Sequence, residues 1–324
     1  MATTQLGNPL RPALLAAARS PRLKRTISKI PATRKVVDRF VAGETEAGAI
    51  KAASAILDTR RYISIDYLGE DTTDLDRANA TVSAYLSLLT ALSELPDGQP
   101  ADESVRHLEV SLKLSALGQS LPRDGHKIAL ENAHKICLTA QSVGAWVTID
   151  AEDHTTTDST LSTVRELRGD FPSLGIALQA YLKRTEADCR DLSGPESRIR
   201  LCKGAYKEPE SVAYQGAAAV DQAYLRCLKI LMKGRGYPMV ASHDPAIVSA
   251  AAQLATHNGR TAADFEYQML YGIRDPEQQR LIFDQQHLRV YLPFGDQWYG
   301  YFMRRLAERP ANLSFFLRSL TSRN

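Results

Sequence analysis

Short runs rich in β-branched and apolar residues recur along the chain, separated by longer amphipathic stretches, which is the sign of repeated strand–helix units. After a helical lead-in over 36–60, eight runs follow in order: RYISIDYLG (61–69), HLEVSLKLSAL (107–117), AWVTIDAED (145–153), LGIALQAYL (174–182), RIRLCKGAY (198–206), YPMVASHD (237–244), FEYQMLYG (265–272) and LRVYLPFG (288–295). The stretches between and after them predict helices over 74–95, 124–143, 158–171, 183–192, 210–233, 245–257, 276–284 and 297–308. Asp124, Asp158, Asp244 before Pro245 and Asp275 before Pro276 mark helix starts, and Gly295-Asp296 and Pro310 bracket the last helix. Eight strands each followed by a helix, over about 240 residues, predict an α/β fold of the (β/α)8 TIM type, with a doubly wound open sheet as the alternative. The expected organisation is a basic, mostly helical arm over 1–60 and a barrel over 61–324, the last helix lying over its mouth.

The 324 residues are 44% hydrophobic and 24% charged, an ordinary globular balance with no apolar stretch of membrane-spanning length. The net charge of +3 does not argue for nucleic acid, and Cys137, Cys189, Cys202 and Cys227 lie too far apart for a zinc or redox pair. No secretory signal is read, so a cytoplasmic protein is expected. Eight Lys/Arg precede the first acidic residue, Asp38. That arm reads as a solvated segment, with a transit peptide or peripheral contact at the inner face of the membrane as alternatives.

In such barrels the chemistry sits at the C-terminal ends of the strands. Those ends carry Asp66, Glu70, Lys113, Asp150, Gln179, Arg200, Lys203, Tyr206, His243, Asp244, Gln268 and Tyr291. Phosphate-loop and dinucleotide signatures are absent, and Asp150, Asp153, His154, His243 and Asp244 lack a discriminating metal-ligand spacing. Lys113 and Lys203 leave two readings open: a Schiff base, or cations that bind an anion of substrate or cofactor. In the last helix Tyr301, Arg304, Arg305 and Glu308 fall at i, i+3, i+4 and i+7. Taken alone these are a charged surface; next to Tyr291 at the end of the eighth strand, the two arginines suit a carboxylate held between planar donors.

RLCKGAYKEP (200–209) and YLPFGDQWYGYFMRRLAERPAN (291–312), with SLKLSAL (111–117), VTIDAED (147–153), ASHD (241–244) and FEYQMLYG (265–272), resemble the proline dehydrogenase family, in its short stand-alone bacterial form. The resemblance implies an FAD-dependent barrel that oxidises L-proline to Δ1-pyrroline-5-carboxylate and passes electrons to a membrane quinone. The product would go to a separate pyrroline-5-carboxylate dehydrogenase. Carried over position by position, Arg304, Arg305 and Lys113 bind the substrate carboxylate, and Tyr291, Tyr301 and Leu270 enclose its ring. Arg200 lies beside the flavin ring and Asp150 at the active-site mouth supports the arginines; both are expected to act in catalysis. Lys203, Gly204, Ala205, Tyr206, Ala151, Gln179, Ser242, His243, Gln268 and Glu308 fall on further flavin-side positions, and Glu70 on a glutamate that gates an active-site arginine.

Overall fold

The computed structural model describes residues 37–95 and 105–308. The basic segment that opens the chain and Pro310 lie outside these residues. Eight parallel strands close on themselves in sequence order, β1 Tyr62–Tyr67, β2 Leu108–Leu112, β3 Trp146–Ile149, β4 Gly175–Gln179, β5 Arg198–Cys202, β6 Tyr237–Ala241, β7 Glu266–Leu270 and β8 Leu288–Phe294. Nine α-helices occur among the described residues: α1 Glu46–Leu57, α2 Leu75–Ser93, α3 Gly125–Ser142, α4 Thr157–Leu167, α5 Thr185–Leu192, α6 Ala217–Lys233, α7 Pro245–His257, α8 Asp275–Phe283 and α9 Trp298–Glu308. The (β/α)8 barrel is therefore the fold, and the open-sheet alternative falls.

Strand periodicity sorts the side chains into two sets. Ile63, Ile65, Val110, Leu112, Ile149, Ile176, Leu178, Ile199, Leu201, Val240, Met269, Val290 and Leu292 join the large core cluster beneath the helices. The other parity points inward. At the N-terminal end it gives an aromatic floor in which Tyr62 and Trp146 are buried and Tyr237 packs against them. Above that floor the inward residues are mostly polar.

Several boundaries differ from the sequence expectation. Within the lead-in expected over 36–60, a helix runs over Glu46–Leu57, and Thr45 Oγ1 accepts a bond from the Gly48 amide at 3.2 Å at its start. The helix expected over 210–233 starts at Ala217, because Gly216 takes φ +78° and the preceding residues pair back on the β4 loop through Leu182 and Ala213. Asp124 takes left-handed φ/ψ and makes no cap bond, Asp158 pairs with Arg184 at 2.5 Å, and Asp275 pairs with Arg61 at 2.5 Å. Only Asp244 caps as expected, accepting from the Ala246 amide at 3.0 Å.

Helix α9 is placed by its apolar face. Trp298, Tyr299, Tyr301, Phe302, Met303 and Leu306 form a cluster with Val37, Phe40, Val41, Leu68 and Ile273, and half-buried Leu270 and Tyr291 join it. Trp298 Nε1 donates to Glu44 at 3.1 Å, and Gly295 N to the Gly43 carbonyl at 3.0 Å. Each such buried aromatic stabilises by roughly 2 kcal/mol before ordering entropy, enough to pin this helix over the mouth.

Candidate active site

The lower interior is ionic. Glu109, fully buried, accepts from Ser64 Oγ at 2.6 Å, Thr148 Oγ1 at 2.9 Å, Arg200 Nη2 at 2.6 Å and Arg198 Nη2. Arg289, also fully buried, forks onto Glu266 at 2.8 and 3.0 Å. Arg198 lies 3.6 Å above the Trp146 ring, so the aromatic floor meets a layer of cations. Burial would raise the Glu109 carboxyl, but Arg198, Arg289 and Arg200 outweigh it and hold the group well below the usual carboxylate range.

One layer higher, Arg200 joins this base to the mouth. Its Nη1 donates to Asp150 at 2.5 Å and Ser111 Oγ at 2.8 Å, its Nη2 to Ser64 Oγ at 3.0 Å, and its Nε to Gln268 at 2.6 Å. Lys113, just past β2, donates to Asp66 at 2.5 Å and lies 3.5 Å from Asp150 and 3.4 Å from Tyr291 Oη. Tyr291 in turn donates to Asp150 at 2.7 Å. Burial and the Asp150 charge keep that phenol well above its ordinary range, so it stays a donor.

The lysines bear on the Schiff-base alternative. Burial alone would lower the Lys113 ammonium, yet Asp66, Asp150 and Glu70 outweigh it and raise it. Lys203, also raised against a burial penalty, is held by Asp221 at 2.5 Å and Asp244 at 2.9 Å. Schiff-base formation needs a neutral amine. Both groups are cations here, which favours anion binding.

At the rim, Arg304 Nη1 donates to Glu70 Oε2 at 3.0 Å and Nη2 bonds Oε1, a two-pronged pair linking α9 to the β1–α2 loop. Burial would lower the Arg304 guanidinium, but Glu70 and Tyr206 raise it. A guanidinium carries five donors, so two spent on Glu70 leave three. Arg305 stacks with its carbon 5.0 Å from the centre of the Tyr301 ring, and Arg304 lies 5.8 Å from that of Tyr206. The two arginines thus have different aromatic neighbours, Tyr206 from the loop after β5 and Tyr301 from α9 itself.

The other expected positions divide. Gly204 has φ +115°, and a Cβ there would fall 2.4 Å from the Tyr181 ring, so only glycine lets this backbone run flush against it. Lys203, Gly204, Ala205, Tyr206, Ala151 and His243 are half-buried at the mouth. Gln268 is enclosed: its oxygen receives Arg200 and its nitrogen donates to Glu266 at 2.6 Å. Gln179 is buried beside Tyr181 at 3.5 Å, and Ser242 Oγ accepts from the Asp244 amide at 3.1 Å. His243 Nε2 accepts from the Leu270 amide at 2.9 Å, which assigns its ring proton to Nδ1. The Glu308 side chain lies outside what the structure describes.

Sequence reasoning missed most of the support beneath the mouth: Ser64, Glu109, Ser111, Arg198, Glu266 and Arg289. The signal was available, because RIR, HLEVSLK and FEYQ each repeat polar residues at period two inside a strand. Also missed was Glu152. Its carboxylate receives the Ser115 amide at 3.0 Å and the Ser115 hydroxyl, and burial pushes it up to about 7 against those two bonds.

The family model for proline dehydrogenase matches residues 49–318. Proline dehydrogenase 1 of Bacillus subtilis (strain 168) is 35% identical over 293 residues, covering 90% of this chain and 93% of that one. Proline dehydrogenase of Deinococcus radiodurans is 36% identical over 287 residues, covering 88% and 90%. Among solved structures, proline utilization A (PutA) from Bdellovibrio bacteriovorus, inactivated by N-propargylglycine, matches with TM-score 0.78 at 23% identity. The match covers 89% of this chain and 34% of that longer one, and it bears on the fold. By the family model and by relatives matched along nearly their whole length, this chain belongs to the proline dehydrogenase family.

Proposed function

We propose that this proline-oxidising enzyme works with bound FAD, forms Δ1-pyrroline-5-carboxylate and passes the electrons to a membrane quinone. The observation that carries the site assignment is the Arg304–Glu70 pair: a carboxylate already sits in the fork of Arg304 at the barrel mouth. With Lys113 held as a cation and Tyr291 beside it, the mouth suits a small amino acid bound by its carboxylate. The quinone and the downstream dehydrogenase rest on the family resemblance.

The residues present fit a flavin. The half-buried strip 203–206 at the mouth, with the ammonium of Lys203 and the enclosed guanidinium of Arg200 near it, offers backbone and cationic donors for an aromatic, anionic cofactor. Lys203, Gly204, Ala205, Tyr206, Ala151 and His243 would hold it, with Arg200 beside its ring. FAD, when bound, supplies the acceptor for the hydride from the carbon next to the proline nitrogen.

The protein's own part is to bind and orient. Arg304, Arg305 and Lys113 take the substrate carboxylate, and Tyr291, Tyr301 and Leu270 wall the ring, so that one carbon is aimed. Asp150 fixes Tyr291 and Arg200 relative to each other, accepting hydrogen bonds from the Tyr291 hydroxyl at 2.7 Å and from Arg200 Nη1 at 2.5 Å. Substrate enters as a zwitterion, and its amine must shed a proton, so turnover rises with pH until the amine is free. Arg304→Met tests the assignment: it should lose affinity for L-proline in a folded protein that still takes up FAD. Unchanged turnover would overturn it.

A further inference from the structure

We infer that Glu152 and Ser115 position the Glu70 gate, acting as a latch under the loop that carries it. This inference rests on the reading, implied by the family resemblance, that Glu70 gates an active-site arginine, here paired with Arg304. Glu70 itself is tied to Arg304, but the residues that follow it are held from below: the Asp71 amide donates to Ser115 Oγ at 3.0 Å, and the Thr72 amide to the Ser115 carbonyl at 3.1 Å. Asp71 takes φ +53°, a conformation that costs a non-glycine residue roughly 1 kcal/mol and so needs outside support.

Ser115 is fixed in its turn. It opens the π-helical turn Ser115–Gln119 after β2, and its amide and hydroxyl both donate to the buried carboxylate of Glu152 in the loop after β3. Asn132 on α3 holds the same turn through the Leu117 carbonyl at 2.9 Å. The result is a continuous relay from Glu152 through Ser115 and the 71–72 backbone to Glu70, and across to Arg304 on α9. Ser115 uses its hydroxyl twice, donating to Glu152 and accepting from Asp71, so removing that oxygen breaks the relay at its middle.

Neither residue is placed to touch substrate, so the effect must run through the gate. The test is a double-mutant cycle in the FAD-loaded protein, reading the affinity for tetrahydrofuran-2-carboxylate, a proline-shaped acid without the amine, by equilibrium dialysis. Glu70→Ala should weaken binding, Ser115→Ala should weaken it three- to tenfold, and Glu152→Gln should weaken it by less. In the Glu70→Ala background, Ser115→Ala should add nothing. With L-proline, Ser115→Ala should raise KM while leaving kcat within about twofold. Thermal unfolding checks that each variant is folded, and Glu152→Gln serves where Ser115→Ala is not. Unchanged affinity in a folded variant, or the same loss with Glu70 already removed, overturns the latch. If Glu70→Ala alone binds the probe like the unmutated protein, the gate falls and the latch with it.

Discussion

Glu109→Gln removes the charge on which the barrel interior is built. The side chain is fully buried and receives Ser64, Thr148, Arg198 and Arg200; its neutral amide would keep one acceptor and turn an N–H toward a guanidinium. Removing one partner of a buried ion pair costs about 3 to 5 kcal/mol, because the remaining charge keeps its desolvation penalty. Here Arg198 and Arg200 would share the deficit. Against a typical total of about 5 to 15 kcal/mol the loss is large, and at roughly 2 to 4 °C per kcal/mol it lowers Tm by about 6 to 20 °C. The pH dependence supplies a second signature. A folded-state pKa held below the unfolded value gives stability that is present above pH 4.5 and is lost as pH falls, by about 1.4 kcal/mol per unit. Glu109→Gln should flatten that acid limb. Urea unfolding from pH 3 to 8 measures both, and a variant within about 1 kcal/mol of the unmutated protein, with an unchanged acid limb, would refute the ionic-core account.

Three further outcomes follow from the same geometry. Glu152 has the opposite sign: its folded pKa of about 7 lies above the ordinary 4.5, so stability is present at low pH and is lost as pH rises through 7. Glu152→Gln should therefore gain about 2 to 3 kcal/mol relative to the unmutated protein between pH 5 and pH 8 in chemical unfolding, whereas a constant difference contradicts the assignment. Arg304→Met gives up charge-assisted bonds worth about 2 to 3 kcal/mol, predicting a 30- to 150-fold fall in kcat/KM for L-proline with retained flavin absorbance. Tyr291, packed at the mouth, should disfavour a 4-hydroxylated ring; Tyr291→Ser should raise the kcat/KM ratio of hydroxyproline to proline, and an unchanged ratio counts against that reading.

The strands were legible because each is short, β-branched and bounded by turn residues, and the count of eight led directly to the barrel. Helix starts were less so. Asp124, Asp158 and Asp275 have the right chemistry for caps, but Asp158 and Asp275 are drawn into ion pairs with Arg184 and Arg61 from distant segments, which no local pattern reveals. The mouth was read as separate strand ends, and the link among them was not. Arg200 meets partners on β1, β2, β7 and the loop after β3 only once the barrel closes. The Arg304–Glu70 pair spans 234 positions; taken alone the arginine segment read as a charged surface and Glu70 as one of several strand ends at the mouth, and the resemblance joined them. Gln268, expected on the flavin side, bonds Arg200 through its oxygen and Glu266 through its nitrogen, and only the closed barrel brings Arg200 to it.

The central claim is that the cationic mouth holds L-proline against a bound flavin. Anaerobic addition of L-proline to the FAD-loaded protein tests it most directly. Loss of the flavin's visible absorbance, saturable in proline and strongly weakened in Arg304→Met, is the predicted result; a protein that takes up no FAD, or whose flavin stays oxidised at saturating L-proline, would contradict it.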